Sequence, residues 1–163
     1  YTTMSKVRLT DFFEDLYAAV NSMHGCQFTT YAYMLEPKLV KYTPDWLLGP
    51  FLQYFPRIAA KLIDVSTFNK SWESITGIKL NQKQMLKAGR RIHVLERYLN
   101  TLEGIGKKDD TLPLRFLEEG RKSDTKNRTV PLKKMLKKYY RIKGYDAKGK
   151  PKISVLKKLN IIE

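Results

Sequence analysis

Apolar residues recur along this chain at helical spacing, and no stretch alternates apolar and polar positions in the manner of a strand. Phe12, Leu16, Val20 and Met23 fall on one face of a helix. Thr10 or Asp11 is placed to cap it, Glu14 stands three residues after Asp11 as the reciprocal member of a capping box, and Gly25 ends the pattern. Thr43-Pro44 suits a helix start, while Gly49-Pro50 and Pro56 cut the apolar stretch from Trp46 to Phe55 into short pieces. Arg57 to Val65 reads as a further helix, and Ser66 as the cap of one that runs to Gly77.

The longest periodic segment opens at Asn81, with Gln84 completing a capping box. It continues through Met85, Ala88, Ile92, Leu95, Leu99 and Leu102 to a stop at Gly104. Pro113 to Glu119 predicts a short helix, and Arg121 to Thr129 a mobile polar loop. Pro131 opens a helix that buries Leu132, Met135, Leu136 and Tyr139 and turns Lys133, Lys134, Lys137 and Lys138 to water, ending at Gly144. After a turn at Lys148-Gly149-Lys150, Pro151 opens a last short helix through Leu159. The pattern predicts an all-α, irregular multi-helical fold of roughly six to eight helices, with residues 1–163 forming one domain.

Composition narrows the function classes. Hydrophobic residues at 42% and aromatics at 12% describe a folding sequence. A single cysteine, Cys26, excludes an internal disulfide framework and any cluster built from cysteines of this sequence alone. No apolar run approaches the roughly 18 residues of a membrane span, and no signal-peptide pattern opens the chain, so a soluble, cytoplasmic protein with no membrane partner is expected. The net charge of +15, from 31 basic against 16 acidic residues, points to an anionic partner. Nucleic acid, an acidic protein and an anionic cofactor all satisfy it.

The polar residues read first as scaffold. Glu96, Arg97 and Asn100 sit within one helical turn and suit an interhelix polar network, and His93 can pair with Glu96. Asp109 and Asp110 precede a proline turn. Glu118-Glu119 reads as a helix end and the C-terminal lysines as a solvated face. His24 reads as a loop histidine. Neither histidine has a second histidine at metal-ligand spacing, and no phosphate-binding glycine loop or nucleophile–base pair appears. No residue is assigned a catalytic role.

An ordered set of short motifs carries more. Thr76-Gly77-Ile78 is followed by Gly89-Arg90-Arg91-Ile92 and Leu95-Glu96-Arg97-Tyr98-Leu99-Asn100. Asp109-Asp110-Thr111-Leu112-Pro113-Leu114-Arg115, Tyr139-Tyr140, Gly144-Tyr145-Asp146 and Gly149-Lys150-Pro151 come after. In order and spacing, from Thr76 to Ile162, the set resembles the C-terminal domain of the aldehyde:ferredoxin oxidoreductase family, the tungsten/molybdenum bis-pterin enzymes. That resemblance implies a larger enzyme that oxidises aldehydes to carboxylic acids, with ferredoxin as electron acceptor. It also implies partnership with upstream domains, and a fragment that is inactive and binds no cofactor alone.

The family motif Asp-x-x-Gly-Leu-Cys supplies the fourth ligand of a [4Fe-4S] cluster, and its loop touches the pterin. The matching stretch here is Asn21-Ser22-Met23-His24-Gly25-Cys26. The resemblance assigns Cys26 as metal ligand and Asn21, His24 and Gly25 as cofactor-binding positions. Three departures stand out: Asn21 replaces the acid, His24 the glycine and Gly25 the leucine. Asn21 keeps an acceptor oxygen but loses the charge that would strengthen a bond to a pterin amino group. The rival reading is a basic helical module that binds nucleic acid or an acidic protein without catalysis.

Overall fold

The computed structural model describes residues 4–28, 30, 42, 44, 46–47, 50 and 65–163. Among them lie six helices: α1 (Met4–Ser22), α2 (Ser66–Thr76), α3 (Gln82–Leu102), α4 (Leu114–Glu118), α5 (Leu132–Lys143) and α6 (Ile153–Lys158). No strand occurs among the described residues; a single antiparallel bridge joins Tyr145 and Pro151. The all-α expectation therefore holds. The helix expected over Arg57 to Val65, and most of that opened by Thr43-Pro44, lie outside the described residues. The chain divides into two compact units, Thr2–Leu95 and Glu96–Glu163, and α3 contributes to both.

In the first unit, Leu16, Ala19, Val20, Val65 and Met85 form a buried cluster, and Phe12, Phe13, Met23, Phe68 and Leu86 pack on it. Full burial of a side chain such as Leu16 or Met85 contributes about 1.5–3 kcal/mol. Helix α1 begins earlier than the caps at Thr10 and Asp11 suggested. Val7 is buried and carries the apolar face a turn upstream, and the Thr10 hydroxyl donates to the Lys6 carbonyl inside the helix. The two aspartates serve α3 instead: Arg90 Nη1 lies 3.1 Å from Asp11 and 3.3 Å from Asp15. Burial works against the Arg90 charge, but the two carboxylates outweigh it and hold its pKa up.

Between α1 and α3 the approach is close enough to require glycine. A Cβ on Gly89 would lie 1.7 Å from the Asp15 carbonyl oxygen. Asn81 and Gln84 form the expected reciprocal box, each backbone N–H donating to the other's side chain at 2.9 Å. Ser66 is not the cap of α2; Val65 occupies that position without a side-chain bond, while Gly77 ends the helix left-handed as expected. The buried face of α3 also differs from the expected stripe. Met85, Gly89 and Val94 are buried, whereas Ala88 is exposed and Leu95, Leu99 and Leu102 are 39%, 52% and 57% exposed. Periodicity identifies the helix, but two aliphatic faces compete, and the one with glycine in it is the one that packs.

The second unit is centred on Tyr140, Tyr145, Leu156 and Leu159, all buried. Tyr140 and Lys143, rather than Tyr139, are the buried residues of α5, and the Lys143 ammonium lies 5.8 Å from the centre of the Tyr139 ring. Pro151 pairs with Tyr145, so α6 starts two residues later than its proline suggested. The segment expected to be a mobile loop is locked onto a buried aspartate. Asp124 accepts from the backbone N–H groups of Lys126 and Arg128 and from both sides of the Arg128 guanidinium fork. That donor set, led by Arg128, holds its carboxyl well below the usual carboxylate range.

Candidate functional site

The candidate segment is the end of α1 and the turn after it. Met23 N–H bonds to Val20 O at 3.1 Å, His24 N–H to Asn21 O at 3.0 Å, and Gly25 N–H to Val20 O at 2.9 Å. The last two bonds are those of a Schellman motif, which satisfies the helix's terminal carbonyls and needs a left-handed residue at its penultimate position. That residue is His24, with φ of 56°. The backbone at this site thus takes the shape for which glycine is suited, while the sequence supplies histidine.

Gly25 serves a different purpose. Its φ is not left-handed, but a Cβ there would stand 2.7 Å from Val20 Cγ1 and 3.2 Å from Phe68 Cε1. The turn is pressed against the core of its own unit, leaving no room for a side chain in this packing. Asn21, His24 and Cys26 are exposed. Cys26 immediately precedes a helical turn, and its carbonyl accepts from the Thr30 amide at 3.1 Å and hydroxyl at 2.9 Å. The four site residues therefore share one tight turn. Among the described residues, no group of three or more potential ligands could hold a metal. An exposed thiol of this kind fits a cluster only as one ligand among donors from outside the described residues.

The motif residues of the second unit form a separate, structural constellation. Arg97 donates to both carboxylate oxygens of Asp110, at 2.8 and 2.6 Å, and from Nε to the Gly149 carbonyl at 2.8 Å. The Tyr140 hydroxyl donates to the same carboxylate. Burial, then the Asp110 charge it faces, raises the Tyr140 pKa above the ordinary tyrosine value. Gly149, at φ of 79°, would place a Cβ 2.5 Å from Arg97 Nη2, so glycine is required twice over. Asp109 holds its turn as expected, accepting from Gly106 N–H at 2.7 Å. His93 pairs with Glu14 at 3.4 Å, and Glu96 and Asn100 are exposed.

Sequence reasoning also missed a cleft of the second unit, with a volume of about 620 Å³ between α5 and the segment after it. Its signal was present as two parallel rows, Leu132-Leu136-Tyr140 and Lys133-Lys137-Arg141, each at four-residue intervals. Lys133 and Lys137 of the second row belong to the face expected to be solvated.

In class, this is an all-α chain with one exposed cysteine after a helix-terminating turn in its first unit and a compact arginine–carboxylate–tyrosine lock in its second. A family model described as aldehyde ferredoxin oxidoreductase, domains 2 & 3, matches residues 1–161, and the chain belongs to that family. The tungsten-containing aldehyde ferredoxin oxidoreductase of Pyrococcus furiosus is 32% identical over 160 residues, which cover 97% of this chain and 22% of that protein. The protein of the same description from Pyrococcus horikoshii is 31% identical over 160 residues, covering 97% and 21%. That of Thermococcus kodakarensis is 27% identical over 160 residues. The chain thus spans about a fifth of the length of the curated relatives it matches. No described helix is long and apolar enough to cross a membrane.

Proposed function

We propose that this chain is the C-terminal portion of a tungsten- or molybdenum-pterin oxidoreductase that converts aldehydes to carboxylic acids and passes the electrons to ferredoxin. The observation that carries the reading is an exposed Cys26, directly after a Schellman turn, in a chain that belongs to this family. Cys26 donates one thiolate to a [4Fe-4S] cluster whose other three ligands lie upstream in the enzyme. The bound cluster and metal-pterin supply the redox chemistry. This chain's own work is to hold the Cys26 thiol at a fixed turn, to face the pterin with Asn21, His24 and the backbone of Gly25, and to cover the cofactor. Catalytic acid–base groups belong to the upstream domains, the isolated chain is inactive, and the whole enzyme is cytoplasmic.

A nucleic-acid-binding module is the less favoured reading, since it leaves unexplained the motif set that the family accounts for. The test uses the full-length protein purified without oxygen, as wild type and as Cys26→Ala. Iron and tungsten or molybdenum are measured together with the electron paramagnetic resonance spectrum. The expected result is four irons per chain in the wild type, with the cluster signal lost or altered in the variant. An unchanged spectrum with full iron in Cys26→Ala would remove Cys26 from the cluster.

A further inference from the structure

The cleft on the second unit has a composition that the proposed redox role does not use. Its floor is apolar: Leu132, Leu136 and Tyr140 of α5, with Tyr145 and Ala147 from the segment that follows. Its rim is cationic: Lys133, Lys137 and Arg141 run along α5, and Lys107 and Lys152 come from other segments. The one carboxylate in the lining, Asp146, accepts through its Oδ1 from the backbone N–H groups of Lys148 and Lys150, at 2.8 and 3.0 Å. Five cations therefore border an apolar floor against one acid.

We propose that this cleft binds an organic anion with an apolar body, an alkyl or aromatic carboxylate, with its chain on the leucine–tyrosine floor and its charge at the lysine–arginine rim. The volume of about 620 Å³ falls in the range of small-molecule sites. Two features separate this ligand from the alternatives. A polyphosphate backbone would engage the cations but leave the apolar floor in water, and a neutral lipid would do the reverse. The α5 cations span two helical turns, about 12 Å, and are met by Lys107 and Lys152, so the charge borders a compact floor.

The inference is independent of cluster ligation by Cys26. It is tested by isothermal titration calorimetry of octanoate into the full-length protein, with octanamide as the neutral control. Two variants change exposed positions only: Lys133→Gln/Lys137→Gln/Arg141→Gln removes the α5 charge, and Ala147→Trp fills the floor. Circular dichroism checks that both remain folded. The expected result is octanoate binding at submillimolar concentration that weakens with added salt. Binding falls at least tenfold in the triple variant, is lost in Ala147→Trp, and is at least tenfold weaker for octanamide. Octanoate binding that survives Ala147→Trp lies elsewhere and overturns the assignment. So does binding of a glutamate-rich amphipathic peptide where octanoate fails, which gives the cleft to a protein partner.

Discussion

Replacing His24 with glycine should stabilise this protein, although the substitution removes a side chain and adds no contact. Three non-glycine residues have positive φ among the described residues: His24, Asn127 and Asn160. Asparagine tolerates that region, whereas a histidine held left-handed costs about 1–2 kcal/mol. Glycine removes that strain and returns about 0.5–1 kcal/mol of it through the greater freedom of its unfolded chain. The net gain is about 0.5–1 kcal/mol, because His24 is exposed and buries nothing that glycine would forfeit. For a chain of this size that is a rise of about 1–4 °C in melting temperature. The assay is thermal unfolding of wild type, His24→Gly and His24→Ala, with urea unfolding as a check. Alanine keeps the Cβ and should show no gain. An equal rise for alanine and glycine, or a fall for glycine, would refute the reasoning.

Gly89→Ala sets helix propensity, worth about 1 kcal/mol in alanine's favour, against a Cβ placed 1.7 Å from a backbone oxygen. The clash cannot be relieved by a side-chain rotation, so the variant should lose about 3 kcal/mol or more, read from urea midpoints. Arg97→Lys should cost about 2–3 kcal/mol, because an ammonium cannot reproduce the fork to Asp110 together with the bond to Gly149; a loss below the error of the midpoint would sink the lock. Asp124 has a lowered folded-state pKa, so its contribution is present above the unfolded carboxylate value near 4 and is lost as pH falls through the folded one. The stability difference between wild type and Asp124→Asn should therefore be full at neutral pH and shrink in acid. Tyr140 has a raised pKa, so its contribution is complete below about pH 10 and declines as pH climbs through the folded value, a decline that Tyr140→Phe should abolish.

The parts of the fold legible in the sequence are those decided within a few residues. Asn81 and Gln84 satisfy each other's amides, so their box can be read from four letters. The left-handed stop at Gly77 is equally local. Asp11 and Glu14 spell a similar box, but Asp11 is claimed by Arg90, 79 residues away, and no window of sequence contains that competition. Gly89 reads as a weak point in a helix until the α1 backbone is seen against it. The segment from Arg121 to Thr129 has a loop's composition, yet one buried carboxylate organises it. At the candidate site, resemblance located the exchanged residues, while the sign of φ at His24 and the contacts of Gly25 required coordinates.

Those two exchanges are linked through the geometry of one turn. A leucine at position 25 would have to displace Val20 and Phe68, which already stand 2.7 and 3.2 Å from its Cβ, at a cost of about 1–3 kcal/mol. Restoring the family's leucine alone should therefore destabilise the unit, whereas restoring its glycine at 24 should not. Relieving the left-handed strain lets the turn adjust, so the double variant His24→Gly/Gly25→Leu should be more stable than the sum of its parts. The motif of the second unit has no such slack. Arg97, Asp110, Tyr140 and Gly149 meet at one carboxylate and one carbonyl, and a change at any of them leaves a charged or polar group unsatisfied. That difference in tolerance gives a physical reason for a turn that departs from the family pattern in a chain whose lock keeps it.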